Sequence, residues 1–306
     1  MTNLEVDFCG VKFENPTVLA SGILGVTASS LRNVIKNGAG GVTTKSIWLE
    51  EHIGHKNPTM FGTEHYFLNA VGLSDGGMEK AREETFPEYL ADKPAPIIGN
   101  IVESSVDRFA ELTAKMDECG PDIIELNLGC PNVEDSHGKP FSCVAADAAK
   151  VVKACRPHTK KPLVVKLTPN VSSIAEVAKA CAAEGIDGFC AINTLYGMGI
   201  DINARRPILT NKSGGLSGPG IKPSAVKAVY DIYKATGLPI IGTGGICSGE
   251  DALEIMMAGA RLVGMGTMVY YRGAEGFAAV VKEMSDWCDK NGVKNLEEII
   301  GVAHNA

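Results

Sequence analysis

Eight short apolar runs recur along the chain, at 17–20, 41–44, 96–100, 122–127, 163–166, 188–192, 239–242 and 262–265. Their length and their Val, Ile and Leu content are those of strands buried on both faces. Segments of helical period separate them. Between 104 and 118, Val106, Phe109, Ala110, Leu112 and Met116 fall near one face. Ser173 with Glu176 forms a capping-box pattern, Pro223 fits the first turn of a helix carrying Val226, Val229, Tyr230 and Tyr233, and Ser248 with Asp251 caps a helix that stops at Gly259. Strict alternation of strand and helix predicts a parallel sheet covered on both sides, and eight repeats predict an α/β (β/α)8 TIM barrel. Before the first run, residues 4–13 alternate around Cys9-Gly10 and predict an N-terminal β-hairpin able to close the bottom of the barrel.

Three connections, 45–77, 128–145 and 193–222, are much longer than an ordinary strand-to-helix loop, and all follow strand C-termini. That is the face on which barrels of this kind build their sites, so the long loops are expected to be functional. Length alone allows two domains, but no Pro-, Ser- or charge-rich linker interrupts the strand–helix repeat, and residues 1–306 read as a single barrel domain.

Composition narrows the function classes. Lys plus Arg is 29 against 36 for Asp plus Glu, a net charge of −7 with a pI near 5.5, which disfavours binding nucleic acid over a broad surface. No signal or transit pattern and no long apolar stretch is present, so a cytoplasmic protein without membrane attachment is expected. The nine cysteines include no Cys-x-x-Cys pair, which fits neither a disulfide framework nor a zinc or iron–sulfur site. His52 and His55 lie in a loop with no thiol nearby, and no metal site is assigned.

Polar residues gather where the strands end: Ser21, Lys45, Asn69, Asn100, Asn127, Lys166 and Asn193. One such lysine would be an ordinary rim residue, whereas repetition around the ring predicts a polar, ligand-binding mouth. Glycine makes up 35 of the 306 residues, against about 7% in an average protein. Three late glycine-rich turns, at 214–218, 242–245 and 264–267, follow strands six, seven and eight, where backbone N–H groups can cradle a phosphate. None has the Gly-x-Gly-x-x-Gly spacing of a dinucleotide fold. Cys130, held between Gly129 and Pro131 after strand four, is placed to exchange a proton, unlike Cys181, Cys190 and Cys288, which lie in core patterns.

Together these motifs resemble the dihydroorotate dehydrogenases. The resemblance runs through Ala20 to Gly22, Thr43 to Ser46, Asn57-Pro58, Asn69 to Leu73, Asn127 to Asn132, Lys166 to Asn170, Ile192 to Leu195, Gly214 to Pro219, Ile221 to Pro223 and the last two glycine turns. Asn69 to Leu73 and Ile192 to Leu195 are similar to the NAD-linked class 1B catalytic subunit. The resemblance implies FMN-dependent oxidation of dihydroorotate to orotate in pyrimidine biosynthesis, with Cys130 as the base for the C5 proton and Lys45 beside it in catalysis. It implies flavin contacts from Ser21, Lys45, Ser46, Asn100, Asn127, Lys166, Ile192, Gly218, Gly244, Gly245, Gly266 and Thr267. Substrate contacts are implied for Lys45, Asn69, Ala70, Val71, Gly72, Leu73, Asn127, Asn193 and Thr194. The implied partner is an electron-transfer subunit carrying FAD and a [2Fe-2S] cluster, on a homodimer core of a heterotetramer, with NAD as final acceptor. Gly129, residues 74–77 and residues 47–54 depart from the usual pattern. The motif Asn127-x-Gly129-Cys130-Pro131 is also close to that of tRNA dihydrouridine synthases, a rival that the acidic pI disfavours. A barrel kept only as a scaffold is the third reading, which Lys45, Cys130 and Lys166 together oppose.

Overall fold

The computed structural model describes residues 2–129 and 140–305. The chain opens with a hairpin of β1 (Val6–Phe8) and β2 (Val11–Phe13), paired antiparallel, followed by β3 (Thr17–Leu19), α1 (Ala28–Lys36) and β4 (Gly41–Thr43). Two strands lie in the first long connection, β5 (Met60–Gly62) and β6 (Phe67–Asn69). A helix then runs from α2 (Met78–Lys80) through a π-type stretch, Ala81–Thr85, into α3 (Phe86–Leu90). Next come β7 (Ile97–Ile101), α4 (Val106–Glu118), β8 (Ile123–Asn127), α5 (Ala145–Cys155), β9 (Leu163–Leu167), α6 (Ile174–Ala183) and β10 (Gly188–Ala191). The third long connection holds β11 (Leu195–Met198), β12 (Ile200–Asp201), β13 (Arg206–Pro207) and β14 (Ser213–Ser217). The chain finishes with α7 (Lys222–Thr236), β15 (Ile240–Thr243), α8 (Gly249–Met257), β16 (Leu262–Met265), α9 (Met268–Arg272) and α10 (Gly276–Asn291).

The eight expected runs are the eight strands of a closed parallel barrel, in the order β3, β4, β7, β8, β9, β10, β15, β16 and back to β3. Every residue of β7, β8 and β9 is buried, because helices cover the outside and side chains fill the inside. The expected caps form in part. Ser173 and Ser248 accept the backbone N–H three residues on, but only Ser248 with Asp251 forms a complete capping box; Ser105, which carried no signal, caps α4 in the same way. In α7 the deepest side chains are Ala225, Ala228, Val229 and Ile232 rather than the expected tyrosines. Small residues let the helix lie close to the barrel, while Tyr230 takes its flank and stacks on His304 at 3.8 Å.

The hairpin closes the barrel's N-terminal end as expected. Phe8 and Phe13 are fully buried, Cys9 Sγ donates to Asp187 O at 3.3 Å, and Arg261 donates to Asp7 O at 2.9 Å. At the opposite end, the first and third long connections pair with each other. β11, β14, β6 and β5 form a four-stranded antiparallel sheet, in which Gly215 faces Asn69 and Leu195 faces Leu216. The hydrophobic pattern did not reveal this sheet, because its strands are short, three of them carry glycine, and the small cluster they bury, Leu68 with Phe61 and Leu216, is assembled from distant loops. Among the described residues no helix is long and apolar enough to cross a membrane.

Candidate active site

The barrel mouth is a pocket whose walls come from nearly every strand end. β3 leads to Ser21, β4 to Lys45 and Ser46, β8 ends on Asn127, β9 carries Lys166, and β10 leads to Ile192, Asn193 and Thr194. Asn69, Val71, Gly72 and Leu73 descend from the antiparallel sheet, and Gly218, Gly244, Gly245, Gly266 and Thr267 close the remaining side. The residues proposed from sequence are thus brought together, with three exceptions. Asn100 and Ala70 are completely buried but lie outside the pocket lining, and Cys130 lies outside the described residues.

Two buried cations and a chain of amides organise the mouth. Lys166, 4% exposed, donates to Ser21 Oγ at 2.9 Å, and Lys45, 8% exposed, reaches Ser74 O at 3.4 Å. Asn193 Nδ2 donates to Asn127 Oδ1 at 3.2 Å, Asn127 Nδ2 to Ser46 Oγ at 3.1 Å, and Thr194 N to Asn193 Oδ1 at 2.8 Å. Each amide keeps hydrogen-bonding capacity after these bonds, so the row can read the donor and acceptor edges of a planar ligand. Burial raises the Asp75 carboxyl above its ordinary value, opposed by N–H groups of Gly77, Trp48 and Gly76 and by the Lys45 charge.

Below the mouth, Asn100 Nδ2 donates to Glu125, which is 1% exposed, while Asn100 Oδ1 is buried without a partner among the described residues. Cys190 is held neutral beside this pair, its thiol pushed up mainly by burial and further by Glu125. The glycine turns are shaped by close approach. Gly245 has φ +76°, and a Cβ there would fall 2.7 Å from Lys222 N. At Gly266 a Cβ would meet nothing nearer than Ala20 Cβ at 3.6 Å, so the space it would take is the mouth's own.

Several lining residues carried no signal as single letters: Ile23, Met60, Phe67, Ser217, Cys247 and Tyr270. Met60, Phe67 and Ser217 enter through the sheet over the mouth, Ile23 from the connection after β3, Cys247 after β15 and Tyr270 on α9. Ser217 accepts from Thr267 Oγ1 at 2.8 Å and so joins the third long connection to the last turn. The two histidines have local roles: His52 stacks on Trp48 at 4.5 Å, and His55 Nδ1 lies 3.0 Å from Ala70 O.

Comparison with known proteins adds a family. A family model described as dihydroorotate dehydrogenase matches residues 3–287. Three relatives are named dihydroorotate dehydrogenase B (NAD(+)), catalytic subunit. The protein of Methanocaldococcus jannaschii is 46% identical over 303 residues, 98% of each chain. That of Pyrococcus abyssi is 42% identical, covering 98% of this chain and 99% of its own, and that of Thermoplasma acidophilum is 41% identical over 99% of both.

Proposed function

The chain belongs to the dihydroorotate dehydrogenase family, and from that premise we propose that it is an NAD-linked catalytic subunit that oxidises dihydroorotate to orotate on FMN, in the making of pyrimidines. The observation that carries this reading is the convergence of Lys45, Asn69, Asn127, Asn193 and two glycine turns on one barrel mouth. The residues fit a flavin. The buried acceptor Asn100 Oδ1 awaits a donor, Lys166 brings a positive charge, and Gly266 leaves room that any side chain would fill. We assign the cofactor's phosphate to Gly244, Gly245, Gly266 and Thr267, and its ring to Ser21, Lys45, Ser46, Asn100, Asn127, Lys166, Ile192 and Gly218.

A flavin bound there supplies the acceptor for the hydride that leaves C6 of the substrate. The chain's residues do the rest. Asn69, Asn127, Asn193 and Thr194 hold the ring's amide edges, with Ala70, Val71, Gly72 and Leu73 shaping the wall. Lys45 offers its ammonium to the carboxylate or to charge gathering on the ring system. Cys130 takes the C5 proton, acidified by the adjacent carbonyl, and the thiol so formed returns it to solvent.

Anaerobic addition of dihydroorotate to the purified yellow protein tests the reading. Bleaching of the flavin band, with orotate formed in equal amount, is expected. A protein that purifies without flavin, or whose flavin band dihydroorotate leaves unchanged, would sink it.

A further inference from the structure

Behind the glycine turns lies a charged network that the chemistry above does not use. The segment leaving β15 ends with three backbone N–H groups held by carboxylates. Cys247 N and Ser248 N donate to Asp251 Oδ2 at 3.0 and 2.9 Å, and Gly249 N donates to Glu283 Oε2 at 2.7 Å. Arg272 belongs to the other turn, at the end of the short helix that Thr267 and Met268 begin. Its guanidinium donates to Cys247 O at 2.8 Å and to Glu283 Oε1 at 2.7 Å. Arg272 thus reaches from the segment after β16 to the segment after β15, and Glu283 on α10 holds both. Cys247, Gly245, Gly266 and Thr267 all line the mouth, so the fork sits directly behind the cradle.

Two roles are open to such a fork, stapling the fold or setting the spacing of the two turns. With side chains 31% and 40% exposed, the ion pair contributes little to folding. Its geometry is that of a spacer: one planar guanidinium spans a carbonyl on one turn and a carboxylate that itself grips the next residues. We propose that Arg272 and Glu283 are positioning residues that hold the two glycine turns at the separation a phosphate monoester needs, and so set affinity for the phosphorylated end of the cofactor rather than for its ring. The proposal rests on the reading of these turns as the flavin phosphate site.

The test compares FMN with riboflavin, which lacks the phosphate. The full chain is stripped of flavin, both ligands are titrated by fluorescence quenching, and the ligand-free melting temperature is recorded. The wild-type chain is expected to prefer FMN. Arg272→Gln, which loses the bonds to Cys247 O and Glu283, and the near-isosteric Glu283→Gln, which removes the charge from those to Arg272 and Gly249, should each weaken FMN by at least roughly tenfold and leave riboflavin binding and the melting temperature in place. Arg272→Lys, which keeps the charge but not the fork, should fall between. The proposal is overturned by unchanged FMN affinity, by equal weakening of both ligands, by full recovery in Arg272→Lys, or by a collapse of melting temperature in both neutral variants. If the wild-type chain itself shows no preference for FMN, the phosphate assignment fails along with it. A preference kept in wild type and untouched in the variants removes the fork alone.

Discussion

Lys45 and Cys130 divide the proposed chemistry between charge and proton, and they can be separated by substitution. Lys45 is 8% exposed in the mouth, whereas Lys93 pairs with Asp122 on the surface, its side chain 46% exposed. Lys45→Ala should slow flavin reduction by dihydroorotate about a hundredfold, the scale of a lost charge at a reacting centre, while Lys93→Ala leaves it unchanged. Cys130→Ala should retain the flavin spectrum and lose at least roughly a hundredfold in the same stopped-flow measurement, the contribution of a general base. A variant at either position that reduces its flavin at wild-type speed removes that residue from the reaction. The other thiols act on stability. Burial pushes the Cys155 and Cys181 thiols up to about 12 from 9.0. The unfolded chain therefore loses these protons near pH 9 while the folded chain keeps them, so stability is full below pH 9 and falls as pH rises toward 12. Urea midpoints should decline across that window; a midpoint that stays flat would mean the thiols ionise freely in the folded state.

Each end of the barrel is finished by a different kind of element, and the two ends should respond differently to change. The hairpin of β1 and β2 buries Phe8 and Phe13 against the strand N-termini, far from the mouth. Phe13→Ala should cost about 3–5 kcal/mol in denaturant unfolding through the cavity it leaves. The flavin spectrum and its reduction by substrate should stay as they are. A changed reduction rate at full flavin content would show that the plug and the mouth are coupled. The barrel strands and the hairpin were legible in sequence because burial on both faces writes a continuous apolar run and alternation writes a half-buried one. The cap at Ser248 was legible for a local reason, since donor and acceptor sit three residues apart. The four-stranded sheet over the mouth was not. Gly215 meets Asn69 through pairing that spans far more sequence than any local pattern covers. The Arg272–Glu283 fork, 11 residues apart across two helices, and the Asn100–Glu125 pair, 25 apart and in register on neighbouring strands, lie closer in sequence but fall outside the three- and four-residue spacings that a local pattern reads.

At the scale of the whole molecule, the open question is where the electrons go after the flavin. Among the described residues the hairpin closes one end of the barrel and the pocket lies at the other, where Met60 and Tyr270 line it and are themselves exposed, so the exchange is expected at the mouth. The 306 residues contain no Gly-x-Gly-x-x-Gly fingerprint and no Cys-x-x-Cys pair. Among the described residues no cluster of three or more His, Cys, Asp or Glu could hold a metal ion. A route from flavin to NAD through the chain's own groups therefore has no visible carrier. The relatives' names carry both terms of the answer, NAD(+) and catalytic subunit. As an extension of the proposed function, we propose that a second subunit with FAD and a [2Fe-2S] cluster, joined to a homodimer core of this chain, supplies the carriers. The isolated chain should then be reduced by dihydroorotate and reoxidised by oxygen or artificial acceptors, with no NADH formed. Adding the partner should switch on NADH formation in proportion to the complex formed, followed at 340 nm. The rival is a self-sufficient enzyme that passes its electrons to fumarate. Efficient fumarate reduction by the chain alone, or NADH formation without a partner, would overturn the assignment and move the acceptor site onto the barrel itself.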